Sequence, residues 1–411
     1  MVDANRTAPA SLRWRMLFGV WLLYACFGLT IAGLAPLVAP ITRDLGMTHS
    51  EMGTVLGVWQ LVYILAAVPC GALLDRIGVR KALFLGGLLI GASGLLRSLS
   101  SDFITLCLAV GIFGIGGPII SSGAPKVVSQ WFQGRDRGFA MGVYITGPAI
   151  GSIVAFALTN SVLMPLFDEH WPRVLQLWAA LCVLGAAVWL VVAGHGGARA
   201  AERAEADQPR PPQREVLRQL TRLPAVRLLL VMSIGIFMFN HGLNNWLPEL
   251  LRADGMSATA AGYWATVPNV VGIAGSLMIP RLATPGRRLL ILGTLAVFAL
   301  AASLLLHFHS SPLLLAALIL QGIARSSLMT VAVLTLVETP GVGERHAGTA
   351  SGLFFSAAEV GGASGPIVLG VLYDATGGFA AGLGLLTGIA LLLLVGVLRL
   401  QQLARRAGAV P

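Results

Sequence analysis

Gly71-Ala72-Leu73-Leu74-Asp75-Arg76-Ile77-Gly78-Val79-Arg80-Lys81 is a short charged bridge between two apolar runs, and those runs decide the fold class. Residues 51–72 precede it and 82–98 follow it, each carrying a single charge, Glu51 and Arg97, near one end. A helix needs about 20 apolar residues to cross a hydrocarbon core of about 30 Å. Working outward from the bridge gives twelve such runs: 15–40, 51–72, 82–98, 103–129, 138–163, 174–194, 225–250, 258–280, 289–306, 312–338, 348–372 and 380–399. The chain reads as an all-α membrane protein with twelve transmembrane helices. The first run has span length and no small-residue cleavage pattern, so it is expected to remain as a helix.

Composition leads to the same class. Of 411 residues 56% are hydrophobic and only 11% charged, with a mean hydropathy of +0.81. Soluble domains carry about 25% charged residues, so an ordinary water-soluble enzyme is excluded. Fifty glycines and 21 prolines are tolerable in membrane helices. A net charge of +10 could suggest nucleic-acid binding, but that requires the basic residues to cluster on one face. Here they are spread over loops, and no nucleic-acid partner is expected.

The basic residues set the orientation. Twenty-two of the 28 fall on the side that holds both termini: the N-terminus with Arg6, Arg13 and Arg15, the alternate loops, the segment Arg199 to Arg227 and the tail with Arg399, Arg405 and Arg406. Arg43, Arg97, Arg173 and Arg252 fall on the other side, and Lys126 and Arg325 are embedded. The positive-inside rule then puts both termini in the cytoplasm, as a multi-pass protein of a bacterial cytoplasmic (inner) membrane. Residues 195–224, with Pro209, Pro211 and Pro212 among charges, are too polar to pack and read as a cytoplasmic linker between bundles 1–194 and 225–411. The bundles echo each other. Leu45-Gly46-Met47-Thr48 reappears as Asp254-Gly255-Met256-Ser257 at an offset of 209 residues, and Gly142 and Gly151 map onto Gly352 and Gly361 at 210. Cys26, Cys70, Cys107 and Cys182 lie in apolar stretches without metal-ligand spacing and read as small core residues.

Gly71, Asp75-Arg76, Gly78, Arg80 and Lys81 resemble the loop 2–3 signature of the major facilitator superfamily, and Arg135-Asp136-Arg137-Gly138 with Ala140 and Gly142 resembles its loop 4–5 sequence. The resemblance implies two pseudo-symmetric six-helix bundles, nested repeats and a midplane site, which are known properties of that superfamily and are not read from this chain. His241-Gly242-Leu243-Asn244-Asn245-Trp246-Leu247-Pro248 and Glu338-Thr339-Pro340-Gly341-Val342-Gly343 are similar to its cyanate-permease-like group. Gly147-Pro148-Ala149-Ile150-Gly151 resembles part of the antiporter motif of span five, or simply bends a helix. The loop 2–3 residues make sense as a gating latch: Asp75 can accept from N–H groups at a helix N-terminus, Arg76 and Arg80 can bridge to Asp136, and Gly71 and Gly78 permit close backbone approach. The second copy, Pro280-Arg281 to Arg287-Arg288, lacks an Asp, so a weaker latch is expected there.

Polar residues inside a bilayer turn toward protein or water. Spans three, nine and twelve hold nothing stronger than Ser93, Thr294, Ser303 or Thr387 in their interiors, span six has Gln176 only near its outer end, and these four are expected to face lipid. Gln60, Lys126, Asn240, His241, Asn244, Asn269, Gln321, Arg325 and Glu359 mark the spans that enclose a pathway. Gln60 and Asn269 are 209 apart and either orient a polar substrate or join helices as amide glue. Arg325 lies at the depth of the midplane, where a charge costs at least about 2.5–3.5 kcal/mol, so a substrate role is the default reading. Glu359, the one embedded carboxylate, either neutralises Arg325 or carries a proton. Lys126 lies five residues before Trp131 and either lines the pathway or reaches the surface. His241 has no second ligand at metal spacing, so neither metal nor cofactor is expected.

The embedded charges leave an excess of one positive, and spans one to six hold no interior acid. The expectation is a monomeric secondary active transporter of a small organic or inorganic anion, working by alternating access and coupled to protons. The alternative is a multidrug or metabolite exporter acting as a proton antiporter, which would feature an embedded acid in the first half. An enzyme is not expected, and no nucleotide-binding Gly-x-x-x-x-Gly-Lys-[Ser/Thr] sequence is present to use ATP.

Overall fold

A computed structural model describes residues 10–194, 218–284, 286–308 and 311–406, so most of the expected linker, 195–217, lies outside the described residues. The described chain is helical throughout. The elements are α1 (Ala10–Ala32), a 3-10 turn (Ala35–Leu37) with a short helix (Val38–Asp44), α2 (His49–Ile77), α3 (Val79–Ser98), α4 (Phe103–Trp131), α5 in two pieces (Gly134–Tyr144 and Gly147–Leu158), α6 (Trp171–Val192), α7 (Pro224–Ala253), α8 (Ala258–Leu282), α9 (Arg288–Leu305), α10 (Ser311–Val337), α11 (Gly343–Thr376) and α12 (Ala380–Arg406). Among the described residues, eleven helical stretches are long and apolar enough to cross a membrane. The expected eighth span is a helix of 25 residues, α8, diluted by Thr259, Thr266, Asn269 and Arg281.

Helix starts follow local chemistry. Thr48 Oγ1 accepts from the Glu51 N–H at 3.1 Å while Glu51 Oε2 accepts from the Thr48 N–H at 2.8 Å, a capping box ahead of α2. Asp102 and Thr105 form another ahead of α4, and the Thr105 N–H holds the Asp102 carboxyl below the ordinary carboxylate range. Gly46 and Gly255 adopt φ +61° and +93° in the two turns that the 209-residue offset pairs, a left-handed geometry that favours glycine.

Two compact units result, Met1–Met47 with Val58–Pro209, and Thr48–Gly57 with Arg210–Pro411. Within the first, α1 packs on α5 and α3 packs on α4 and α6; within the second, α7 packs on α11 and α9 on α10 and α12. The glycine repeat explains the matching pattern. A Cβ at Gly151 would run into the Ala25 carbonyl oxygen of α1, and one at Gly361 would run into the Ile234 carbonyl oxygen of α7. Ala25 and Ile234 are themselves 209 apart, so the same backbone contact occurs once in each unit.

The helices add detail that the apolar runs do not show. The first and fifth spans are not continuous: α1 gives way to a 3-10 turn at Ala35, and α5 is interrupted at Ile145–Thr146 and ends in a π-turn at Thr159–Leu163. Pro36 and Pro148 occupy the first positions of new helical segments, where a missing N–H is harmless. Arg97, in the last turn of α3, is 3% exposed, donates from Nη1 to the Thr30 carbonyl at 2.9 Å and stands 5.5 Å from the Phe113 ring centroid. Spans three, six, nine and twelve expose residues such as Leu95, Leu184, Leu290 and Leu392, yet α3 also buries Ser93, whose hydroxyl donates to the Ala109 carbonyl. They therefore present one exposed apolar face each.

Gly361→Ala is expected to lower the melting temperature of the detergent-solubilised protein by several degrees, since overpacking of this kind costs about 1–3 kcal/mol. A melting temperature equal to that of the unsubstituted chain would show that the α7–α11 backbone contact can relax freely.

Candidate functional site

The polar centre of the second unit is built around Arg325 on α10. Nη1 donates to Asn244 Oδ1 of α7, and Nη2 donates to Asn269 Oδ1 of α8 at 2.6 Å. Asn269 is itself fixed, because its Nδ2 donates to the Ala265 carbonyl one turn back at 3.2 Å. Among the described residues Arg325 forms no ion pair: Glu359 on α11 is buried, and its Oε2 has no hydrogen-bond partner. The expected alternative in which Glu359 neutralises Arg325 is therefore corrected. A guanidinium has five N–H donors, and two amide oxygens occupy two of them. Arg325 is only half-buried, so the remaining donors can take an anion.

The other expected site residues are placed separately. His241, half-buried on α7, contacts the Phe237 ring at 5.4 Å, and its carbonyl accepts from Asn245 Nδ2. Asn240 Oδ1 and both amide atoms of Gln321, one turn from Arg325 on α10, are buried without a hydrogen-bond partner among the described residues. Gln60 is fully buried in α2 of the first unit. No group of three His, Cys, Asp or Glu side chains among the described residues could hold a metal ion.

The loop 2–3 residues take partners that the sequence did not suggest. Lys126 Nζ of α4 donates to Asp75 Oδ1 at 3.1 Å, so Lys126 joins this group. Asp136 pairs with Arg13 of α1 at 3.1 Å, not with Arg76 or Arg80. Arg76 is exposed, and the Arg80 carbonyl accepts from Trp189 Nε1 at 3.0 Å. Gly71 is not a close approach, because an added Cβ would meet open space, whereas Gly78 turns the chain between α2 and α3 at φ +84°.

A model of the Major Facilitator Superfamily matches residues 20–285 and 251–409. The chain belongs to this superfamily. It is 24% identical over 300 residues to a D-galactonate transporter of Escherichia coli O6:H1, covering 67% of this chain and 68% of that one. It is 28% identical over 410 residues to a quinolone resistance transporter of Acinetobacter baumannii, covering 93% and 92%. A crystal structure of a bacterial homologue of the human lysosomal transporter Spinster superposes with a TM-score of 0.74 at 17% identity, covering 97% of this chain and 98% of that one, which shows the shared fold. The protein is a multi-pass membrane transporter and not an enzyme.

In this member of the superfamily the second unit has its own charged pair. Arg288, at the start of α9, makes a two-pronged contact with Glu338 just after α10, with both N–O distances 2.7 Å. The expectation of a weaker latch there rested on the missing Asp; the acid comes from Glu338, fifty residues downstream. Sequence reasoning missed this because no local spacing links the two. A double-mutant cycle on Asp75→Asn and Lys126→Met should show a coupling of about 0.2–1 kcal/mol in detergent unfolding, as expected of a partly exposed pair. Additive losses would mean that the contact contributes nothing.

Proposed function

We propose that the protein is a secondary active transporter of a small organic anion, and that Arg325, steadied by Asn244 and Asn269, grips the anion's carboxylate. What carries this reading is an embedded cation whose identified partners are two neutral amides. An arginine in hydrocarbon needs charge compensation, and a bound anion provides it. Gln60, His241, Asn240 and Gln321 are the remaining candidates for polar contacts with the substrate. The similarity to a D-galactonate transporter favours a hydroxylated carboxylic acid over cyanate, which would nevertheless use the same grip. The similarity to a quinolone resistance transporter keeps an exporter as the second reading. On either reading the two halves alternate access to the site, with Asp75, Lys126, Arg76, Arg80 and Asp136 biasing the populations from the cytoplasmic side, and the chain works as a monomer in the inner membrane.

Proteoliposomes supplied with labelled D-galactonate and a panel of other small anions test this directly. Arg325→Ala should abolish uptake by a protein that still folds, and Arg325→Lys should also fail because an ammonium cannot match the planar fork. Wild-type rates from the alanine variant would remove Arg325 from the site.

Coupling is assigned to Glu359. A buried carboxylate without a cation is unfavourable, and a bound proton removes that charge. Glu359→Gln should eliminate accumulation driven by a pH gradient while preserving counterflow, which needs no net proton movement. Accumulation equal to wild type under the same gradient would exclude Glu359 from coupling.

A further inference from the structure

Cys26 of α1 and Cys182 of α6 are 156 residues apart in sequence, and both belong to the first compact unit, where their side chains meet. Cys26 Sγ donates to the Leu181 carbonyl and Cys182 Sγ to the Cys26 carbonyl, both at 3.8 Å, and the two thiols hydrogen-bond to each other. Gly185, one turn after Cys182, leaves the room for this, since a Cβ there would come within 2.9 Å of Cys26 Sγ. Thr30, one turn after Cys26, closes the cluster. Its hydroxyl donates to the Cys26 carbonyl at 2.9 Å and stands 3.4 Å from Cys182 Sγ, while its own carbonyl accepts from Arg97 at 2.9 Å. Arg97 is near enough for its charge to act on Cys182, and its buried Nε has no hydrogen-bond partner among the described residues.

We propose that Cys26 and Cys182 form a two-thiolate site for a monovalent soft cation, copper(I) or silver(I). Thiolate sulfur selects soft metals of this kind. Binding exchanges protons for metal: two S–H bonds break, two sulfur–metal bonds form, two protons leave to solvent, and no electron is transferred. Charge decides which metal fits. Two thiolates around a monovalent ion carry one net negative charge, which offsets the positive charge of Arg97 where an uncompensated ion is costly. A divalent ion would leave the pair neutral and the arginine uncompensated. Zinc also takes four ligands, and no group of three His, Cys, Asp or Glu side chains among the described residues could hold it. The Thr30 hydroxyl can rotate from the Cys26 carbonyl to donate to the Cys182 thiolate. Arg97 is not a ligand here; it acts through its charge. Leu181 and Leu184, which flank Cys182 in α6, are exposed, so the sulfurs lie just beneath the apolar surface. Reading the thiols only as small residues that pack α1 on α6 accounts for their burial but gives no reason for the cation beside them.

The full-length protein with Cys70→Ser and Cys107→Ser, reduced and purified in detergent, is titrated with copper(I) under ascorbate and separately with silver(I). Native mass spectrometry should show one metal retained per chain, and X-ray absorption should find sulfur from two ligands around it. Cys26→Ser and Cys182→Ser should each abolish this binding. Arg97→Gln should weaken it by about 10–100-fold, as loss of a group behind the ligands does, and Arg97→Lys, which keeps the charge, should recover most of the loss. If Arg97→Gln fails to fold, the two serine variants and the sulfur count still decide the matter. Binding as strong in both serine variants as in their parent would overturn the proposal, because the metal would then sit elsewhere. A loss of two mass units with no metal retained would also overturn it, because the thiols would have paired as a disulfide instead.

Discussion

A guanidinium placed in a membrane-spanning helix must be given oxygen partners, and the second unit is arranged so that Arg325 receives them from two other helices. Asn244 on α7 and Asn269 on α8 each turn an amide oxygen to it. These contacts fix the rotation of three helices at once. α8 and α10 must approach closely for Asn269 to reach, and a Cβ at Gly322 would meet the Pro268 carbonyl oxygen at 2.7 Å. Glycine at the crossing and arginine one turn later are thus parts of one arrangement, in which the small residue permits the approach that the charged residue requires.

The fold was legible because the bilayer imposes one length and one composition on every span. Boundaries failed where backbone was free to depart from a straight helix, at the 3-10 turn of α1 and the π-turn of α5, since apolar run length carries no information on helix continuity. The site was legible in part. Arg325 and Asn269 stood out as polar residues at midspan, and they meet. Asn244 was one of four polar residues in Asn240 to Asn245, and nothing in the sequence distinguished the one that would face α10. The partners of Asp75 and Asp136 were not legible, because Lys126 and Arg13 come from helices whose rotation depends on tertiary packing.

The two units share a plan and differ in its charged residues. Gly151 and Gly361 make the same contact 210 residues apart, yet the ion pairs have changed partners: Asp75 with Lys126 joins α2 to α4, while Arg288 with Glu338 joins the start of α9 to the end of α10. Backbone contacts are hard to replace, because a Cβ at either glycine would overlap a carbonyl oxygen. A partly exposed ion pair contributes about 0.2–1 kcal/mol, so its residues can be exchanged while the fold persists. This is why the glycine repeat survived to be read from the sequence and the charge pattern did not.

Arg97 and Arg325 show why burial of an arginine is not enough to mark a site. Both lie within helices and neither has a carboxylate among its identified partners. Arg97 is 3% exposed, with one donor on the Thr30 carbonyl and its guanidinium near the Phe113 ring. A ring face satisfies a cation without a hydrogen bond, and no ligand could reach the charge without parting α3 from α4. Arg325 keeps the opposite balance. Its two identified partners are oriented amides and it is half-buried, less enclosed than Arg97. The difference lies in the neighbours. A ring and a carbonyl close the environment of Arg97, whereas the asparagines around Arg325 hold the guanidinium in place and leave donors free, as binding and release of an anion require.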